Sequence, residues 1–176
     1  QYLFGANDTD FDEMMVDWTS PGVNLDELSR VVENQQGEII GYVEVWDISE
    51  PHVVKYTWGC MHPDAWDEDV FRAMMSWAEK RSRERIALAP EGTKVVMNQG
   101  MSNLDIRKKK ALEAYGYQNV RNFFRMVIDL DQMPPQPLIP EGLTIVPINM
   151  DKELRPTLEA MEEAFSVHWG HVPRSI

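Results

Sequence analysis

The stretch 53–85 constrains the fold more than any other part of this chain. A strand-like apolar run, 53–61, meets Pro63 and a group of acids, and the spacing of apolar residues then becomes that of a helix. Val70, Met74, Trp77 and Ala78 recur along one helical face, while Lys80, Arg81, Arg83 and Arg85 gather toward the C-terminal end, where cations complement the helix dipole. Asp64 is the expected cap, and Pro90, Glu91 and Gly92 end the helix. A strand feeding a long amphipathic helix through a proline belongs to a layered α/β protein.

The flanking segments extend that layer. Residues 8–18 carry Phe11, Met14, Met15 and Trp18 at helical spacing behind the cap cluster Asp8, Thr9 and Asp10, and Leu25 to Leu28 suggest a further helical turn. Residues 29–32 and 39–48 read as strands around the turn Asn34, Gln35, Gln36 and Gly37, which makes a hairpin. A strand is expected at 93–97, and a helix at 103–115 with Asn103 as cap, Leu104, Ala111, Leu112 and Tyr115 as core contacts and Gly116 as C-cap. Further strands are expected at 123–130 and 143–148, on either side of the proline-rich link Pro134, Pro135, Gln136 and Pro137, and a helix at 153–165. The order implies an α/β domain of mixed sheet topology.

At 176 residues the chain suffices for one full domain and part of a second. A formal charge of −12 argues against nucleic-acid and anionic-membrane surfaces, since both need a basic footprint, and Arg107-Lys108-Lys109-Lys110 is the one basic run. No segment approaches the roughly 18 consecutive apolar residues of a membrane span, so a cytoplasmic location is expected. Cys60 is the single cysteine and is expected to be a small buried hydrophobe rather than a nucleophile. His52, His62, His168 and His171 show no metal-ligand spacing. The chain opens on Gln1, and a piece of a longer protein is expected.

Three blocks, in order, resemble the GNAT acyltransferase superfamily. Residues 38–45, with Gly41, Val43 and Val45, are similar to the family's G-x-x-V-G-x-x-x-V hairpin. Residues 61–79, from Met61 through Pro63 to Ala78 and Glu79, keep the frame of its acetyl-CoA loop, V-x-P-x-x-R/Q-x-x-G-x-G/A, and of the helix behind it. Residues 111–117, ending in Gly116 and Tyr117, are similar to its L-Y-x-x-x-G-F segment. The resemblance implies a GNAT-like mixed, mostly antiparallel central sheet flanked by helices, and acetyl transfer from acetyl-CoA to a small-molecule amine acceptor.

The tail resembles the junction in bacterial tandem-GNAT proteins of the mycothiol synthase type. Phe124 to Leu130, the proline-rich link, the run from Ile139 through Gly142 to Pro147, and Glu163 to Gly170 carry that likeness. Met14, Met15, Val16, Asp17 and Trp18 before Pro21 are echoed by Phe165, Ser166, Val167, His168 and Trp169 before Pro173. The resemblance implies an N-terminal repeat over 1–133, a linker over 134–141, and the first strand and helix of a truncated second repeat over 142–176.

The loop keeps its frame and departs in content. A CoA pyrophosphate is met by backbone N–H groups at a helix start, with small residues allowing close approach. The family's Arg or Gln falls on Trp66, and its small positions on Asp69 and Phe71. Met61, Asp67, Glu68, Asp69 and Val70 are the loop positions, and three carboxylates there take the electrostatic place of a phosphate and would repel one. The family tyrosine that protonates the leaving thiolate falls on Leu112, which has no proton to give. Glu44, alternating with Val43 and Val45, is the candidate general base. Phe165, His168 and Trp169 are the candidate wall of an acceptor pocket. This repeat is therefore expected to be structural, with catalysis in the missing part; the other reading is a ligand- or protein-binding module without enzymatic activity.

Overall fold

The computed structural model describes residues 10–173. Two compact units divide the chain, Gln1–Gln118 and Asn119–Ile176. The first unit opens with α1 (Phe11–Trp18) and α2 (Leu25–Leu28) and continues into β1 (Ser29–Glu33), β2 (Ile39–Trp46) and β3 (Val54–Met61). A short 3-10 turn, Pro63–Ala65, leads to α3 (Glu68–Glu84), followed by β4 (Val96–Gln99) and α4 (Ile106–Tyr115). Asp10 caps α1 through a reciprocal capping box with Glu13; Asp8 and Thr9 of the expected cap cluster lie outside the described residues.

The four strands form one sheet in the order β1-β2-β3-β4, antiparallel except for the parallel pair β3 and β4. The mixed α/β architecture with a mostly antiparallel sheet is thus the observed fold. β2 and β3 alternate strictly: Val43 and Val45, and Lys55, Thr57, Gly59 and Met61, point to the buried face. Against them α3 lays Phe71, Met74, Met75 and Ala78, and α4 adds Leu112. Gly59 leaves room for this packing, because a Cβ there would stand 3.0 Å from Met75 Cε.

Several expectations need correction. The cap of α3 is Asp67, since Pro63–Ala65 turns as a separate 3-10 segment and delays the helix. Likewise Asp105 rather than Asn103 caps α4, which starts later and leaves Leu104 exposed instead of in the core. β4 lies at Val96–Gln99, displaced from 93–97, because Thr93 first closes a turn on Pro90. Cys60 is exposed, as its place in the β3 alternation puts it opposite Gly59 and Met61.

In the second unit α5 (Met150–Phe165) begins at its Asn149 cap, earlier than 153. Residues 123–130 and 143–148 form no strand. A strand exists by pairing, and among the described residues of this unit none offers a ladder partner.

Candidate functional site

The parallel pairing of β3 with β4 stops at Thr57 opposite Gln99, while β3 remains paired with β2 as far as Met61 opposite Gly41. β4 ends at Gln99, which leaves residues 58–61 of β3 with an unpaired edge on that side. Thr57 stands at the inner end of that edge: its Oγ1 donates to Asn98 O at 3.1 Å and lies 3.2 Å from Tyr117 Oη. Gln99 Nε2 is buried there without a partner among the described residues. Lys108, nearly buried on α4, acts electrostatically on Cys60. Burial pushes the Lys108 ammonium down in pKa, whereas Cys60 and Asp105 oppose the shift. Although Cys60 reaches solvent, the protein packed around it desolvates the thiol enough to push it up, against the pull of Lys108. Such a thiol is a poor nucleophile at neutral pH.

At the end of β3 the structure places the loop positions as follows. Met61 is buried in the core beneath the loop, and Val70 packs at its margin. Asp67 Oδ1 accepts from the N–H groups of Asp69 at 2.9 Å and Val70 at 3.0 Å. Glu68 and Asp69 are exposed in the first turn, where the helix dipole favours anions. Trp66 stacks on Phe71 with centroids 5.1 Å apart, and the Arg107 guanidinium sits 5.5 Å from the centroid of the Trp66 ring.

Leu112 is a core residue, 4% exposed. Tyr115 packs beside it and donates its hydroxyl to Glu79 at 2.7 Å. Burial and this bond to a carboxylate push Tyr115 up to about 12, so it holds its proton and is not poised to release it.

Glu44 lies on the sheet face opposite Val43 and Val45, as its alternation predicts, and accepts a 2.6 Å hydrogen bond from Tyr42. Desolvation, then the bond to Glu44 and its charge, raise the Tyr42 phenol well above its ordinary value. Tyr42 in turn contacts Trp18 at 5.9 Å and Trp58 at 5.8 Å between ring centroids. Sequence reasoning missed this aromatic group; the available signal was the same-face spacing of Tyr42 with Glu44.

Within the second unit, Phe165 meets the His168 ring at 5.7 Å, and Trp169 meets Phe123 at 6.3 Å with Arg121 above it. His171 pairs with Glu162 at 3.2 Å. Among the described residues no group of three or more His, Cys, Asp or Glu side chains is placed to hold a metal, and no helix is long and apolar enough to cross a membrane.

No protein-family model matches the chain, and no curated protein does. Among solved structures, a GCN5-related N-acetyltransferase from Sphaerobacter thermophilus superposes with a TM-score of 0.77 at 30% identity, covering 92% of this chain and 50% of that one. A chimera of the Vibrio cholerae spermidine N-acetyltransferase SpeG and hSSAT overlaps at a TM-score of 0.44 and 18% identity, over 64% of each chain, too loosely to guide interpretation.

GNAT acetyltransferases use acetyl-CoA, and this helix start does not fit its pyrophosphate. The Asp69 and Val70 N–H groups are already taken by the Asp67 carboxylate, and Glu68 and Asp69 add like charge. A parallel strand pair at the edge of a mostly antiparallel sheet, a helix launched from the end of β3 and a second helix beside it agree with the superposition: this chain has the GNAT fold, over about half the length of the acetyltransferase it resembles.

Proposed function

We propose that the chain is part of a GNAT-type N-acetyltransferase, moving an acetyl group from acetyl-CoA to an amine acceptor, and that its first repeat is structural rather than catalytic. In this reading 1–133 form the repeat, 134–141 a linker and 142–176 the start of a second repeat of the mycothiol synthase type, the whole being cytoplasmic. The half-length match to an acetyltransferase supports the parent activity. The observation that carries the structural role is the Asp67 carboxylate on the two N–H groups a phosphate would need. Leu112 in the core adds to it, since no hydroxyl stands at the leaving-group position.

Phe165, His168 and Trp169 are proposed to wall the acceptor pocket; the Phe165–His168 ring contact supports the first two standing together. Glu44, with Tyr42 on one oxygen, stays a candidate for meeting a cationic amine. The second reading, a binding module on the GNAT framework, is favoured by the aromatic face around Glu44.

Thermal unfolding with acetyl-CoA separates the roles. A ligand at 100 times its dissociation constant would add about 2.7 kcal/mol. The expected result is no shift with millimolar acetyl-CoA; a saturable rise in Tm would overturn the structural assignment of this repeat.

A further inference from the structure

We propose that the open face of β2 and β3 binds a compact quaternary N-methylammonium ion, held by the rings of Tyr42, Trp58 and Trp18 and by the carboxylate of Glu44. The site follows from register. Glu44 pairs directly with Trp58 across the two strands, and Tyr42 with Cys60, so carboxylate, indole and phenol share one face opposite the core. From α1, Trp18 comes down on Tyr42, which gives three rings in series at 5.9 and 5.8 Å. Trp58 is 39% exposed and presents its ring to incoming solute.

Charge selects the ligand. Carboxylates elsewhere in this unit face cations: the buried Asp47 meets Lys55, Arg85 and His52, the partly buried Glu79 meets Arg83, and the exposed Glu27 meets Arg81. Glu44 has a neutral phenol as its hydrogen-bond partner and forms no ion pair among the described residues. Tyr42 donates to Oε2, and the half-buried charge remains uncompensated. Lys108 acts electrostatically on Cys60, the cross-strand neighbour of Tyr42, yet no bond or ion pair joins it to Glu44.

An ammonium over a tryptophan or tyrosine ring is drawn to its negative face, and more strongly when desolvated. N-methylation lowers the cost of shedding water while the carboxylate still supplies the opposite charge. The net charge of −12 raises the local concentration of cations. The ligand class is separate from the acetyl acceptor, because a quaternary nitrogen has no lone pair to acylate. The inference shares Glu44 with the proposed meeting of an amine acceptor but concerns a different ligand, and acetyl-CoA plays no part in its test.

The probe is choline, followed by the upfield ring-current shift of its N-methyl proton resonance on titration with the full chain. Saturable binding in the millimolar range is expected, with Trp58→Leu and Glu44→Gln each weakening it about tenfold. Both variants are expected to keep the parent far-UV circular dichroism spectrum, because Trp58 is exposed and Glu44→Gln is nearly isosteric. The neutral isostere 3,3-dimethylbutan-1-ol and the primary amine ethanolamine are expected to bind more weakly than choline. Absence of saturation, equal or tighter binding of either comparison compound, or unchanged choline affinity in either variant would overturn the site.

Discussion

Glu44 and Asp47 sit on one stretch of chain and have opposite surroundings. Asp47, just past the end of β2, is 2% exposed; Lys55 Nζ and His52 Nδ1 reach its Oδ1 at 2.8 and 2.9 Å, and Arg85 Nε reaches Oδ2 at 2.6 Å. Lys55, itself 1% exposed, also donates to Arg85 O at the C-terminal end of α3. Glu44 is half-buried on the other face with one neutral donor. The first carboxylate ties the hairpin, β3 and α3 together. The second leaves its charge available to something outside the chain. A buried charge that is fully answered reads as architecture, and one left open on an aromatic surface reads as a site.

The largest effect is expected from breaking the architectural charge. Asp47→Ala would leave the Lys55 ammonium buried without its anion, at a cost of about 3–5 kcal/mol in urea unfolding. A loss below about 1 kcal/mol would mean that Lys55 finds water or another partner, and the contrast with Glu44 would collapse.

The same group gives a pH signature. Burial alone would raise the Asp47 pKa; the hydrogen bonds from Lys55, Arg85 and His52 outweigh it and hold the carboxyl below its ordinary value. Because the folded pKa is depressed, the stability from this group is present above the unfolded pKa of about 3.9 and disappears as pH falls through the folded one. Asp47→Asn should remove that portion of the acid dependence. Parallel stability curves for the two proteins across the acid range would count against the assignment.

Asp67 is the intermediate case, a carboxylate answered by N–H groups rather than by cations. Asp67→Ala should cost about 1 kcal/mol as a lost cap, measured by thermal unfolding. A cost near that of Asp47→Ala would make the loop a structural hub; no cost would mean that water caps α3 equally well. Either departure would redraw the order of the three acids.

How much of this was legible before the fold was known follows from the range of each interaction. The helical face of α3 and the hairpin around Asn34 could be read because periodicity and turn residues are local. The carboxylates at 67–69 were legible for the same reason, although Asp67 rather than Asp64 proved to be the cap once Pro63–Ala65 formed its own turn. Residues 123–130 misled, since an apolar alternating run signals a strand only if a partner is present. Cys60 misled because apolar neighbours do not tell which face of a strand a residue takes. The Asp47 clasp and the pairing of Glu44 with Trp58 depend on register and on contacts between distant segments. Neither leaves a trace in local composition.

The smallest expected stability change is the one that most sharpens the contrast. Glu44→Gln keeps the shape and still accepts from the Tyr42 hydroxyl, so the hydrogen bond survives while the charge goes. With no cation among the described residues paired to it, the charge contributes little to folding, and unfolding free energy should move by no more than about 0.5 kcal/mol. A slight gain is compatible with relief of a half-buried, uncompensated anion. A loss comparable to that of Asp47→Ala would show that Glu44 is answered within the chain after all, and the two carboxylates would then differ in exposure but not in role.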